Sequence, residues 1–228
     1  MKTLRLIAVA AAAAVAICAP SFAAAEDIAS AVARWVSESG AKGPAPHGDY
    51  TVGRYEDVET RAILAFDIPS GEIVTSAVLH IDAGLVVRDD NIIKFGSVNR
   101  PSSEYAAQDG VPFFTALGNG ATFGAVTPPS GNPGVIQVTL NADGIAAINN
   151  AIGGRFGLGV SNTNLDNVIG NAFVFGATLE DDAEGIKLVV TRYVPPPIPT
   201  MTEWALIGLV VALAGGASLV VLRRRRLI

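Results

Sequence analysis

The sequence predicts an all-β protein: a jelly-roll-like β-sandwich with one short helix, preceded by a signal peptide and followed by one transmembrane helix. Three observations carry that expectation. Apolar residues alternate with polar ones at period two through the middle of the chain. Clusters of Gly, Pro, Asn, Asp and Ser separate these runs. An uncharged apolar stretch lies near each end, one just behind a basic start and the other just ahead of four consecutive arginines.

The strands follow in chain order. Between Thr60 and Ile68, residues Ala62, Leu64, Phe66 and Ile68 share one face, with Arg61 and Asp67 on the other. Ala77, Leu79 and Ile81 alternate with Ser76, Val78 and His80. The same period recurs at Ile136, Val138 and Leu140, at Phe156, Leu158 and Val160, and at Ile186, Leu188 and Val190. Each run has the length and half-buried character of a strand. Turn chemistry at Pro69-Ser70-Gly71, at 130–134 and at 182–185 punctuates them. One segment breaks the pattern: Ile145, Ile148 and Ile152 fall at helical spacing. Asn141 is placed as an N-cap, Asp143 complements the positive helix end, and Gly153-Gly154 stop the helix.

Composition narrows the possible roles. The chain has 228 residues, half of them apolar and 16% charged, which excludes an intrinsically disordered polymer. Residues 26–198 hold 10 basic and 20 acidic side chains, a net −10. So acidic a middle excludes nucleic acid as a partner, because phosphate binding needs clustered Lys and Arg.

The N-terminal segment, residues 1–25, reads as a signal peptide. Lys2 and Arg5 give the basic start, Leu6 to Ala19 the apolar core, and Ala23 and Ala25 the small residues for signal-peptidase cleavage before Glu26. Cys18 is the only cysteine, so the mature chain is expected to have no disulfide and no thiolate metal site.

The C-terminal segment is tripartite. Residues 195–204 form a Pro-rich linker ending Ile198-Pro199-Thr200-Met201-Thr202-Glu203-Trp204. Residues 205–222 are uncharged and, at about 1.5 Å per residue, reach roughly 27 Å, enough for a hydrocarbon core. Residues 223–228 begin with Arg223, Arg224, Arg225 and Arg226, which mark the cytoplasmic side. This layout resembles the IPTLxxWG-type sorting domain, a relative of the PEP-CTERM signals of Gram-negative bacteria. Ile198, Pro199, Thr200 and Trp204 carry the match, while Met201 and Ala205 replace Leu and Gly of that pattern. The resemblance implies a partner, an exosortase-type membrane transpeptidase. It further implies an inner-membrane anchor before processing and a cell-surface or extracellular destination afterwards. An uncleaved single-span anchor is the alternative.

Residues 26–194 form the expected ectodomain. From Arg61-Ala62-Ile63-Leu64-Ala65-Phe66-Asp67-Ile68-Pro69 to Leu188-Val189-Val190-Thr191-Arg192-Tyr193, its landmarks resemble the DNRLRE-type jelly-roll domains of secreted bacterial proteins, which are related to carbohydrate-binding modules. That resemblance implies a structural or matrix-interaction role beside extracellular polysaccharide, with a true carbohydrate-binding module as the alternative.

Motifs for enzymatic chemistry are sparse. No nucleophile elbow, phosphate-binding loop or paired-histidine zinc motif occurs. His47 lies in a Gly/Pro-rich segment and His80 on an outward strand position. The acidic groups around Glu56 and Asp57, around Asp89 and Asp90, and around Asp181 and Asp182 allow three readings: solvated loop charge, a structural Ca²⁺ site of hard oxygens, or a glycosidase pair. The first is preferred, and no resident cofactor and no enzymatic activity are expected. For a glycan the candidates are aromatic, because ring faces cover sugar C–H surfaces. They are Trp35, Tyr105, Phe113 and Phe114, with Tyr50 and Tyr55 beside them, and each is equally readable as core. Val111-Pro112-Phe113-Phe114 is expected to be a loop presenting two rings.

Overall fold

Alternation at period two does build strands. A computed structural model describes residues 25–43, 50–107, 109–165, 171–176, 185–195, 205–206 and 208–217. Ala23–Tyr193 forms one compact unit. Its strands are β1 (Ala25–Ser37), β2 (Tyr50–Tyr55), β3 (Val58–Asp67), β4 (Val74–Ala83), β5 (Leu85–Val86), β6 (Ile93–Ser97), β7 (Thr122–Val126), β8 (Gly134–Thr139), β9 (Arg155–Asn162), β10 (Ala172–Gly176) and β11 (Ile186–Arg192). Two α-helices, α1 (Val111–Gly118) and α2 (Ala142–Asn150), and a 3₁₀ turn, Ser102–Glu104, complete the described elements of this unit.

Every pairing among these strands is antiparallel. β1 links two groups of them. Its first half, Ala25–Ala29, pairs with β11, which continues through β4 to β8. Its second half, from Ser30 to Ser37, pairs with β3, which continues through β9 and β6 to β7. The register shifts between Ser30 and Val32, and such a bulge bends a strand and raises its twist. The Ser30 hydroxyl sits at this bend and donates to the Val32 and Ala65 carbonyls at 2.9 and 3.3 Å. β2 pairs with the start of β3 and carries β10 and β5 outward.

The inner faces of the two strand groups meet in one apolar core. Leu79, Ile81, Val138 and Leu188 come from one group, and Leu64, Phe66, Phe95, Leu158 and Val160 from the other, all in a single buried cluster. The result is a mostly β, antiparallel, sandwich-like protein with few helices. The expected faces hold: Ile136, Val138 and Leu140 are buried while Gln137 and Thr139 are exposed.

Helix content requires a correction, because two α-helices form instead of one. The expected helix is α2, capped as its sequence requires, with the Asn141 side chain accepting from the Gly144 N–H at 3.0 Å. Its Ile148 is fully buried. Asn149 then clamps the start of β4, accepting from the Val74 N–H at 2.7 Å and donating to the Val74 carbonyl at 2.9 Å. The unexpected helix is α1, formed by the segment expected as a ring-presenting loop. Pro112 stands in its first turn, where a missing N–H costs nothing.

α1 covers the outer face of β3 and β1. Val32, Val36, Ile63, Ala65, Tyr105, Phe113, Phe114 and Leu117 form a second buried cluster there. Two alternate glycines of β9 admit this layer. A Cβ on Gly157 would stand 2.2 Å from the Tyr105 ring, and one on Gly159 would stand 2.4 Å from the Leu117 carbonyl oxygen.

In the second unit, which takes in Met1–Phe22 and Val194–Ile228, residues 205–206 and 208–217 are helical and exposed. Among the described residues no helix is long and apolar enough to cross a membrane. The cleavage residue Ala23, the sorting residues Ile198, Pro199, Thr200 and Trp204, and Arg223, Arg224, Arg225 and Arg226 lie outside the described residues, as do His47, Asp181 and Asp182.

Candidate functional site

The aromatic candidates separate into two groups by burial. Tyr105, Phe113 and Phe114 are buried, at 6%, 2% and 8% exposure, so the expectation that they offer rings to a sugar is corrected. The faces of Phe113 and Phe114 are taken by arginines of the sheet beneath. The Arg34 guanidinium lies 5.4 Å from the Phe113 ring centre, and that of Arg61 lies 4.2 Å from Phe114. Arg34 is itself fully buried and donates from Nε to the Tyr105 carbonyl at 3.0 Å. Burial lowers its pKa and the nearby Asp109 charge opposes that effect. Arg61 also bonds the Glu59 carboxylate at 2.9 Å and the Phe114 carbonyl at 3.2 Å. These contacts fasten α1 to the sheet. Tyr50 is likewise buried, donates to the Asp82 carbonyl and has its pKa pushed upward by burial.

Trp35 and Tyr55 come together at a groove of about 340 Å³. Register places them on one face. Trp35 stands opposite Ala62, Ser37 opposite Thr60, Thr60 opposite Gly53, and Tyr55 opposite Val58. Residues directly opposite one another share a face, as do alternate residues along a strand. Trp35, Ser37, Thr51, Tyr55, Val58 and Thr60 therefore line the same side of the β1–β3–β2 ribbon. Burial falls along that side from Ala62 at 0% to Val58 at 40% and Tyr55 at 47%, so the groove lies where the core face opens to solvent.

Both rings are held in place. Trp35 is half-buried, and a Cβ on Gly43 would stand 2.5 Å from its indole nitrogen, so only glycine lets the chain cross this close. The Tyr55 ring meets Phe173 edge-on, with centroids 5.3 Å apart and planes at 87°. A hydrogen bond with the Glu56 carboxylate raises the Tyr55 pKa. Glu56 and Asp57 form the two-residue turn from β2 to β3 with φ of 47° and 64°. Two-residue hairpins of this type favour Asn-Gly because both positions need positive φ, so the acidic pair sits there at a conformational cost. The hydroxyls of Ser37 and Ser39, 2.8 Å apart, lie on the same rim.

The carboxylates elsewhere serve mainly as structural partners. Asp67 takes a two-point bond from Arg155 at 2.7 and 3.0 Å, and this pairing lowers its pKa. Asp90 takes another from Arg88 at 2.8 and 2.7 Å, with the same effect. Asp89 accepts from the Ser130 N–H at 2.7 Å, which also holds its pKa down. Glu26 and Asp27 pair with Arg192 and Lys187 of β11. A general acid needs a raised pKa, and these three aspartates move the other way. Among the described residues no group of three or more His, Cys, Asp or Glu gathers to hold a metal ion. His80 is half-exposed on β4, between Lys187 and Gln137 of the neighbouring strands.

Tyr55 was one of six aromatics readable as ligand-binding from the sequence, and its position immediately before an acidic hairpin turn gave no further signal. No protein-family model matches the chain, and no curated protein matches it.

Proposed function

We propose that this is an exported, non-enzymatic cell-surface protein whose jelly-roll domain has a structural or matrix-interaction role beside extracellular polysaccharide. The observation that carries the reading is the tripartite C-terminal layout behind an exported acidic domain. Ile198, Pro199, Thr200 and Trp204 precede an uncharged stretch closed by Arg223 to Arg226. Signal peptidase cuts after Ala25, and the stretch 205–222 holds the chain in the inner membrane of a Gram-negative cell. An exosortase-type transpeptidase then cuts near the motif and passes the domain outward.

The experiment is surface shaving of intact cells that express either the full chain or a chain ending at Pro197. Protease added outside should degrade the full-length product and spare the truncated one. Equal degradation of both would overturn the sorting role of residues 198–228. A second reading, a carbohydrate-binding module, is favoured by the groove that unites Trp35 and Tyr55 with hydroxyl side chains.

A further inference from the structure

We infer that the Trp35–Tyr55 groove binds a neutral polysaccharide, with the two rings as its platform and the acidic hairpin turn as a filter against anionic polymers. The inference rests on the carbohydrate-binding reading and deepens it by naming the subsite and the charge class of the glycan.

Four features of the groove converge on this ligand. Its volume, about 340 Å³, falls at the small end of the range for ligand sites, roughly 300–1,000 Å³. Its apolar part is made of the Trp35 and Tyr55 rings with Val58 and Ala41, and the rings suit the flat C–H face of a pyranose. Its polar part is mostly hydroxyl, from Ser37, Ser39, Thr51 and Thr60, and hydroxyls both donate and accept as sugar hydroxyls require. Tyr55 is also preorganised: an exposed tyrosine would ordinarily lose rotamer freedom on binding, but edge-on packing against Phe173 already restricts this ring.

Charge selects among glycans. Glu56 lines the groove, Asp57 adjoins it in the turn, and Glu38 approaches it by accepting from the Glu59 N–H at 3.3 Å. Arg61 of β3 is engaged by Glu59 and by the Phe114 ring and carbonyl. A polyuronate or sulfated polymer would bring like charge against this rim, which costs affinity. A neutral chain meets no such cost and gains an acceptor in the Glu56 carboxylate.

The test is retardation of the full-length protein, in detergent micelles, through native gels that contain a neutral galactomannan, a neutral β-glucan or alginate. Wild type should be retarded by at least one neutral polymer and not by alginate. Tyr55→Ala and Trp35→Ala should each weaken that retardation about fivefold or more, as loss of one stacked ring implies. Tyr193→Ala, which removes a tyrosine of similar exposure (46%) from the far end of the ectodomain, should leave it unchanged. Tyr55 is an exposed side chain, so its variant remains informative if Trp35→Ala fails to fold. Neutral-glycan binding that survives both substitutions would overturn the inference and leave the carbohydrate-binding reading standing. Retardation by none of the three polymers would overturn both. Stronger retardation by alginate would overturn the charge filter.

Discussion

Replacing Gly159 with alanine tests whether α1 is seated directly on bare backbone of β9. The added methyl would stand 2.4 Å from the Leu117 carbonyl oxygen and 3.0 Å from the Leu117 carbonyl carbon and Cα. All three are backbone atoms, so no side-chain rotation relieves the clash, and the end of α1 must lift by about 1 Å to restore an ordinary contact distance of 3.4 Å or more. That displacement loosens Leu117, 2% exposed, and strains the Arg61 bond to the Phe114 carbonyl. Overpacking of this kind costs about 1–3 kcal/mol, and its backbone character puts the expected value near 3 kcal/mol. For a domain of this size that corresponds to a melting point roughly 6–12 °C lower. Gly185→Ala is the matched control: its new methyl meets only the Asp82 Cβ at 3.5 Å, so it should melt like wild type or slightly higher. Thermal unfolding followed by circular dichroism reads both. If Gly159→Ala melted together with Gly185→Ala, α1 would not be packed on β9 and the second apolar layer would be wrong.

Asn149→Ala removes two bonds to the Val74 main chain, of 2.7 and 2.9 Å, at about 1 kcal/mol each. The expected loss is about 2 kcal/mol in denaturant unfolding, and an unchanged midpoint would contradict the clamp. Asp67→Asn breaks an exposed two-point pair with Arg155 and should cost about 0.5 kcal/mol at neutral pH. Arg155 lowers the folded-state pKa of Asp67 below its ordinary 3.8, so the folded state binds fewer protons than the unfolded one. The pair's contribution is therefore complete above that ordinary value and disappears as pH falls through the folded one. The stability gap between wild type and Asp67→Asn should close under acid, and a gap that stayed constant with pH would refute the assignment.

Legibility of this fold in the sequence depended on whether one face or two were buried. Ile136, Val138 and Leu140 have solvent on their other side, and their alternation reads directly as a strand. α2 was legible because its cap, its isoleucine spacing and its terminating glycines all agree. β1 was not, because it changes partners at the Ser30–Val32 irregularity, and a bulge shifts the period of the side chains. α1 was missed because Val111-Pro112-Phe113-Phe114 is short and shows little polar face on which a helical period can register. A signal for its existence was nonetheless present. Ala62 to Phe66 is apolar at five successive positions, and such runs mark strands covered on both sides. Ile63 and Ala65 required a cover, and Tyr105, Phe113, Phe114 and Leu117 supply it. The groove was half legible: Trp35 and Tyr55 were both singled out as aromatics, but their common face follows from the pairing of β1 and β2 with β3, which period-two patterns leave open.

The intact mass of the protein purified from its native cells decides whether it is exported and sorted. The expected chain begins at Glu26 and ends near Thr200, with or without an added group at the new C-terminus. A mass that runs to Ile228 would contradict cleavage at the sorting motif, and one that includes Met1 to Ala25 would contradict export through the signal peptide.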